Sequence, residues 1–586
     1  MQKSTWCTIP LSIVLSSEAW CGPQTTIRAS VDSTGLEADD YSEKPAISDD
    51  GHCVAFVSSA TNLVYGDLNG VPDVFVHDLH TGATTRVSVD SSGIEANGEC
   101  AVPEISATGR YVVFASLASN LVPGDTNDSY DIFVHDRLTS QTTRVSVASS
   151  GDQANGHSVW CDISPGGRHV AYASGATNLV ASDSNDLWDV FVHDRQTGTT
   201  ERASVDSAGN EGNGHSGWEA PSRLAADGNI VAFVSQATNL VAGDTNAARD
   251  VFVRDLQAGR THRVSVSSTG EQGNALSSVP SISDSGQLVT FNSNATNLVP
   301  GDTNGAADVF LKDRSTGTTT RVTLDSMGNQ TGGGVGGRIS PDGRFVAFAS
   351  PVDDILPGDT NNAWDVFLRD LFLQETTRAS ITWDGNESSD HGHSEGCSVS
   401  SHGLFVCFTS SADNLVWPDT NDAVDIFVRV RVAPVGVPYC RGDGTDGTCP
   451  CGNPGFPNEG CANSGGSGGL LQAEGSTIAD ADYVVFEASG LLSFQPALLF
   501  VGLNAINNGN GLVFGDGLRC AGGSVVRLGI QAPDSSGDAS WGPGLGGMGG
   551  WGAGDTRRFQ AWYRDPGGPC GTGFNLTNGL EVVFSP

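Results

Sequence analysis

Short runs of alternating apolar and polar residues recur along the chain, and the same order of runs returns every 57–61 residues. One copy contains "RISPDGRFVAFAS" (338–350), "DVFLRD" (365–370) and "TTRASI" (376–381). Runs of this length and alternation predict β-strands, and the Asp-Gly between the first two runs predicts a tight hairpin turn. Each copy is therefore predicted to form a four-stranded antiparallel sheet.

The repeats predict an all-β, seven-bladed β-propeller closed by its N-terminal strand. The "DVFVHD" strand and the "TTRVSV" strand each occur seven times, but the second series begins first, at 25–31, and none follows 425–430. Four-stranded sheets that pack only on their neighbours are typical of a β-propeller. With 25–31 on the outer edge of the last blade, no edge stays open. A six-bladed ring with one extra sheet is the alternative, and it leaves two open edges.

The segments "ISPDGRFVAFAS" and "DVFLRD" resemble the WD40-like repeat of TolB-type propellers, over roughly residues 25–430. The resemblance implies a propeller that is often extracytoplasmic and often a binding scaffold, and it does not imply an activity. The chain departs from that family in its seven blades, where TolB-type propellers have six. Its loop before the third strand, "ATNLVPGDTNGAAD", is also longer.

The loop between the second and third strands always reads Asp-x-Asn-x-x-x-Asp, while its three variable positions differ freely among the copies. The seven sets are Asp67, Asn69 and Asp73; Asp125, Asn127 and Asp131; Asp183, Asn185 and Asp189; Asp244, Asn246 and Asp250; Asp302, Asn304 and Asp308; Asp359, Asn361 and Asp365; and Asp419, Asn421 and Asp425.

Two interpretations of this loop stay open at the level of sequence. Calcium takes six to eight hard oxygen ligands, and Asp-x-Asn is how many calcium loops begin, so the sets are candidate structural calcium sites. Asp and Asn also cap tight turns through their own backbone, which needs no metal. The fifth position mostly lacks a side-chain oxygen, and the distal Glu of an EF-hand loop is missing.

Other recurring polar residues have both structural and functional interpretations. The Arg of each "TTRVSV" strand is predicted to form a surface ion pair. His157, His215 and His393 occur in the loops before first strands, where they would face the channel mouth. They are candidates for a transition-metal or ligand site, or simply for loop hydrogen bonds. The Gly-x-Ser-x-Gly elbow, His-Glu-x-x-His, the phosphate loop and the dinucleotide fingerprint are all missing.

The net charge of −37 argues against a nucleic-acid partner, since phosphate binding needs basic patches. No run reaches the length of apolar residues that a membrane helix needs. Residues 1–24 have the weak features of a signal peptide, or they form a leader. We therefore expect an exported protein, which is secreted, periplasmic or at the cell surface.

The repeat stops near residue 432, and the chain becomes rich in Gly and Cys over 433–469 before a predicted β-sandwich at 470–586. The six cysteines are Cys440, Cys449, Cys451, Cys461, Cys520 and Cys570. An even number in an exported chain predicts three disulfides of unknown pairing, with a zinc site as the alternative. Parts of this region resemble a C-terminal module of secreted bacterial proteins. Its Trp541, Trp551, Trp562 and Tyr563 form either a sugar-stacking platform or core.

The sequence thus favours an exported, non-catalytic propeller that binds a protein or carbohydrate partner at its face. The alternative is an extracellular hydrolase or lyase on polysaccharide with its site at the central channel. Clustered acids with shifted pKa values in a central pocket would favour the enzyme.

Overall fold

The computed structural model describes residues 25–382, 385–389, 392–431, 435–444, 448–455, 459–475, 484–533 and 537–584. The chain forms two compact units, whose described residues are 25–430 and 431–584. The predicted signal peptide, 1–24, lies outside the described residues.

The first unit consists of seven four-stranded antiparallel sheets, as the repeats predict. After β1 (Thr25–Arg28), the strands of blades 1 to 7 are β2–β5 (Ser42–Ile47, Cys53–Ser58, Asp73–Asp78, Thr84–Arg86), β6–β9 (Cys100–Ile105, Tyr111–Ser116, Asp131–Asp136, Gln141–Arg144), β10–β13 (Ser158–Ile163, His169–Ser174, Asp189–Asp194, Thr199–Arg202), β14–β17 (Arg223–Leu224, Ile230–Ser235, Asp250–Asp255, Arg260–Arg263), β18–β21 (Ser277–Ile282, Leu288–Ser293, Asp308–Asp313, Thr319–Arg321), β22–β25 (Val335–Ile339, Phe345–Ser350, Asp365–Asp370, Glu375–Arg378) and β26–β28 (Ser394–Val399, Phe405–Ser410, Asp425–Val430).

The N-terminal strand closes the ring. β1 pairs with β28 in antiparallel register, with Ile27 opposite Val428, and so becomes the outer strand of blade 7. The first strands of all seven blades contact one another in order around the channel, including the last with the first. The seven-bladed prediction is confirmed, and the six-bladed alternative is wrong.

Each blade is held by the same buried aromatic pair. The second and third strands each contribute one ring, and the two ring centroids lie 5.7–6.1 Å apart. The pairs are Phe56–Phe75, Phe114–Phe133, Tyr172–Phe191, Phe233–Phe252, Phe291–Phe310, Phe348–Phe367 and Phe408–Phe427. Alternation places these rings on one face of the strand, against the neighbouring blade, which explains the near-invariant Phe of the repeat.

Blade 4 departs from the other blades in its first strand. Three more residues separate Ser216 from Leu224 than separate Ser158 from Ile163 in blade 3. The regular strand shrinks to Arg223–Leu224, and Ser216 keeps only an isolated bridge to Ser235. The extra residues place Trp218 and Glu219 outside the sheet.

The second unit is a β-sandwich, with a six-stranded and a three-stranded sheet sharing one apolar core. Its strands are β29–β41: Val437–Tyr439, Leu470–Glu474, Val485–Ser489, Ala497–Gly502, Asn504–Ala505, Leu512–Phe514, Gly517–Arg519, Ala521–Gly522, Val526–Gln531, Ala539–Trp541, Thr556–Arg564, Phe574–Leu576 and Gly579–Val583. One short α-helix, α1 (Gly546–Gly549), and 3₁₀ turns at Ser401–Gly403 and Ile506–Gly509 complete the described helical structure. No described helix is long and apolar enough to cross a membrane.

The three predicted disulfides are present. They join Cys440 to Cys520, Cys449 to Cys461 and Cys451 to Cys570. The five described propeller cysteines are buried and free.

Of the two interpretations of the aromatic residues in the second unit, the core interpretation is confirmed for Trp541, Trp551 and Tyr563. Trp541, Trp551 and Tyr563 are buried at 3%, 8% and 0% exposure, and Trp562 packs against a small apolar cluster.

Reduction of the three disulfides is expected to lower the thermal stability of the second unit and to leave that of the propeller unchanged. Loss of disulfides from a small domain costs about 2–5 kcal/mol, because the unfolded chain regains freedom. Calorimetry with and without dithiothreitol should show the transition of the second unit shift down and that of the propeller stay. A propeller transition that shifts equally would contradict this.

Candidate functional site

Every Asp-x-Asn-x-x-x-Asp loop closes around an arginine of its own blade. In blade 3 the Arg202 guanidinium lies 3.5 Å from Asp183 and 2.9 Å from Asp189. Across the seven blades the arginine lies 2.7–3.5 Å from the first aspartate and 2.9–3.5 Å from the last. The arginines are Arg28, Arg86, Arg144, Arg202, Arg263, Arg321 and Arg378.

The asparagine and the last aspartate of the loop also make hydrogen bonds, whereas both carboxylate oxygens of Asp183 lack a hydrogen-bond partner. In blade 3, Asn185 Nδ2 donates to Asp189 at 3.3 Å and to the Gly212 carbonyl at 3.0 Å. Its Oδ1 accepts the Leu187 amide, and Ser204 Oγ donates to Asp189 at 2.5 Å. The asparagine thus forms the turn that the sequence predicts, and it also ties the loop to the next blade.

The prediction of a surface ion pair for the arginine is wrong in one respect: the pair is buried. The seven arginine side chains are only 5–11% exposed. The signal was available in the sequence. In blades 1–6 the arginine follows the last aspartate by 13 residues, and in the hairpin register it lies opposite the aromatic residue of the third strand, as Arg86 does opposite Phe75.

A third acidic group joins four of these networks. Glu95, Glu211, Glu387 and Glu37 pair with the arginines of blades 1, 3, 6 and 7, whereas blades 2, 4 and 5 have Gln at this place. In blade 1, oxygens of Asp67, Asp73 and Glu95 all lie within 4.8 Å of one another. Burial raises the pKa of Asp67 to about 6. The negative charges of Asp73 and Glu95 contribute to this shift, and Arg86 opposes it.

The three candidate histidines form no shared metal-binding group among the described residues. Each of them accepts a hydrogen bond from the loop beside it. The Nδ1 atoms of His157, His215 and His393 accept the backbone amides of Tyr130, Trp188 and Trp364 at 3.0, 3.1 and 3.3 Å. A neutral ring that accepts through Nδ1 carries its proton on Nε2, so each ring offers an N–H donor away from the loop. The simple hydrogen-bonding interpretation is confirmed for these three residues.

An aromatic cluster lies where blades 3 and 4 meet, on the side of the ring that carries the Asp-x-Asn loops. Trp188 and Trp218 touch edge to face, with ring centroids 4.4 Å apart. The indole N–H of Trp160 donates to the Trp218 carbonyl at 3.0 Å, and the His215 ring lies 6.4 Å from that of Trp218. Trp218 is 46% exposed. We call Trp160, Trp188 and Trp218 the aromatic mouth.

A charged cluster crosses the channel. Glu104 of blade 2 accepts from Arg223 of blade 4 at 2.5 Å and from Arg338 of blade 6 at 2.8 Å, while Asp162 of blade 3 lies 3.2 Å from Arg223. Burial opposes ionisation of Glu104, but the two arginines outweigh it and lower its pKa. The four side chains link blades on different sides of the ring and line a cavity of about 100 Å³.

The rim of this cavity is formed by the turns that follow the first strands. Main-chain hydrogen bonds join these turns around the channel at five places, such as the Ser401 amide to the Asp49 carbonyl at 3.0 Å. Asp49 and Asp284 belong to the rim. Burial, together with the nearby Asp284, Asp50 and Asp162, raises the pKa of Asp49 to about 7.

Substitution of Asp49 by asparagine is expected to stabilise the protein increasingly as pH rises from 4 to 7, and fully above pH 7. Folding raises the pKa of Asp49 from its ordinary 3.8 to about 7. The folded state therefore binds this proton more tightly than the unfolded state does. The resulting contribution to stability is fully present below pH 4 and is lost between pH 4 and pH 7. The thermal unfolding midpoint of Asp49→Asn should lie several degrees above that of the wild type at pH 8 and should equal it at pH 4. An equal difference at both pH values would contradict the assignment.

A cleft of about 730 Å³ lies away from the channel, between the outer parts of blades 5 and 6. Arg321 and Arg369 line it. Arg321 is paired with Asp302 and Asp308, and Arg369 donates to the Asp325 carbonyl and to Thr376, both at 2.9 Å. Both guanidinium groups are therefore already bonded within the protein.

No protein-family model matches the sequence, and no curated protein matches it. Among solved structures the chain is similar to TolB from Acinetobacter baumannii, at 14% identity over 58% of this chain and 66% of that chain, with a TM-score of 0.33. It is also similar to the β-propeller domain of the Trilobed protease from Pyrococcus furiosus, at 11% identity over 67% and 95%, with a TM-score of 0.41. Oligogalacturonate lyase from Vibrio parahaemolyticus matches at 12% identity over 70% and 98%, with a TM-score of 0.42. These likenesses concern the fold.

Proposed function

We propose that the protein is an exported, non-catalytic propeller scaffold that binds a protein or carbohydrate partner at the aromatic mouth. The observation that carries the proposal is the break in the repeat. Blade 4 is the one with three extra residues, and these present Trp218 against Trp188 of blade 3. Indole faces with hydrogen-bond donors at their edge suit partners that have an apolar face and a polar rim.

Acids with a raised pKa line the channel cavity, as the enzyme alternative requires, and Asp49 is one of them. The small size of the cavity and the ion pairs of its acids nevertheless favour a scaffold. Glu104 is held by two arginines and Asp162 by one, so these acids are used to link blades 2, 3, 4 and 6. A cavity of about 100 Å³ is well below the roughly 300–1,000 Å³ of typical ligand pockets. The three disulfides of the second unit suit an oxidising compartment, which agrees with export.

Tryptophan fluorescence would test the binding surface, with chito-, cello- and xylo-oligosaccharides and a proline-rich peptide as probes. We expect at least one probe to quench the wild type and to lose this effect in Trp188→Ala and Trp218→Ala. Trp417→Ala is the matched control, because Trp417 is 84% exposed but belongs to blade 7. Quenching that survives both mouth variants would overturn the proposal.

The enzyme alternative is tested in the same samples. Incubation with polysaccharides should release no oligosaccharide products if the protein is a scaffold. Release that stops in Glu104→Gln would instead support a hydrolase or lyase at the channel.

Structural calcium in the Asp-x-Asn loops stays a prediction. A guanidinium already lies among the carboxylates of every loop, so a calcium ion would have to displace it or bind beside it. If calcium binds, we propose that it prefers the four blades with a third carboxylate. Metal analysis after dialysis should then give up to four ions for the propeller, with a lower melting midpoint in chelator. If chelator does not change the melting midpoint of the propeller, the loop carboxylates are neutralised by their arginines and not by calcium.

A further inference from the structure

Two fully buried aspartates lie side by side in the second unit. Asp516 and Asp565 are both 0% exposed. A Cβ on Gly568 would lie 1.7 Å from Asp516 Oδ2 and 2.9 Å from Asp565 Oδ2, so both oxygens lie on the side of this glycine where a side chain would project. Any residue other than glycine would clash with them at this position.

The two carboxylates lack a positive partner within the described part of the chain. Asp565 accepts the Ser464 amide at 3.0 Å and the Ser464 hydroxyl at 2.5 Å. Asp516 Oδ1 accepts the Thr572 amide at 3.2 Å and hydroxyl at 2.6 Å. Asp516 Oδ2 is buried and has no hydrogen-bond partner.

Such an arrangement is costly without a cation. A buried charge is normally paired or bound to a metal, and here two charges share one buried place. The orphaned Oδ2 of Asp516 is the oxygen that faces Gly568 and Asp565. The loop 565–573, which contains Asp565 and Gly568, has exposed residues on both sides of Gly568.

We propose that Asp516 and Asp565 bind one calcium ion. No histidine occurs in 431–586, and its six cysteines are all in disulfides, so imidazole and thiolate ligands are missing. Carboxylate and carbonyl oxygens suit a hard divalent cation, and calcium tolerates irregular oxygen shells better than magnesium. Cys451–Cys570 anchors the same loop, so ion and disulfide would fix it together.

Hydrogen–deuterium exchange on the full wild-type chain tests this site without depending on any variant. We expect peptides covering 565–573 and Asp516 to exchange more slowly in millimolar calcium than in chelator. Peptide-level resolution separates this effect from any calcium in the propeller loops. Exchange that calcium does not change would overturn the site.

Metal content supplies the second measurement. Asp516→Asn should bind about one calcium ion fewer per chain than wild type, because an ionised ligand is lost. Asp555→Asn is the matched control, since Asp555 is 40% exposed and pairs with Arg557 in the same unit. Equal calcium in all three proteins would overturn the proposal. Slower exchange of loop 565–573 in acid, with no effect of calcium, would also overturn it.

Discussion

Replacing Arg202 by methionine is expected to lower the free energy of unfolding of the propeller by about 3–5 kcal/mol, because removing one partner leaves buried charge uncompensated. Asp183, Asp189 and Glu211 all face this guanidinium, and Asp189 is 0% exposed. The unfolding midpoint in urea, followed by circular dichroism, measures the loss.

Two comparisons make the arginine result specific. Arg168→Met removes an ion pair with Asp194 in the same blade, but this arginine is 49% exposed, so little change is expected. The deficit of Arg202→Met should also shrink at acid pH, where protonation removes the repulsion between the carboxylates. A deficit that is independent of pH would show that lost packing, not lost charge, is responsible.

Removal of β1 is expected to abolish the monomeric propeller. A chain beginning at residue 33 loses the partner of β28 and exposes the backbone groups of Asp425–Val430 as an open edge. It also loses Arg28, which pairs with Asp419 at 2.8 Å, and Ser30, which donates to Asp425 at 2.6 Å. Size-exclusion chromatography should show oligomers or aggregates, and the melting midpoint should fall.

A chain beginning at residue 24 retains β1 and is the control. A synthetic peptide of residues 24–33, added in excess, should restore the monomer by pairing with β28. A shortened chain that stays monomeric with an unchanged midpoint would contradict the closure.

Much of the propeller could be predicted from the sequence, because its information is local and repeated seven times. Alternation gave the strands, and the offset between the two strand series gave the closure by residues 25–31. The Asp-x-Asn-x-x-x-Asp pattern identifies the loops and predicts either calcium sites or metal-free turns, but it does not show the arginine among the carboxylates. The recurring arginine is predicted to form a surface ion pair, since sequence alone does not report burial. The constant spacing from Asp73 to Arg86 is visible in the sequence and indicates the partner.

The sequence by itself determined the blade, the number of blades, the closing strand and the disulfide-bonded second unit, since these follow from periodicity, turn residues and cysteine count. Only the tertiary structure decided which charges meet. Glu104 and Arg338 are 234 residues apart and touch because the ring brings blades 2 and 6 to one channel. Asp516 and Asp565 lie on separate segments of the chain, and only the folded β-sandwich brings both carboxylates beside Gly568. Contacts of this kind leave no local period in a sequence, because their geometry is set by how complete sheets pack.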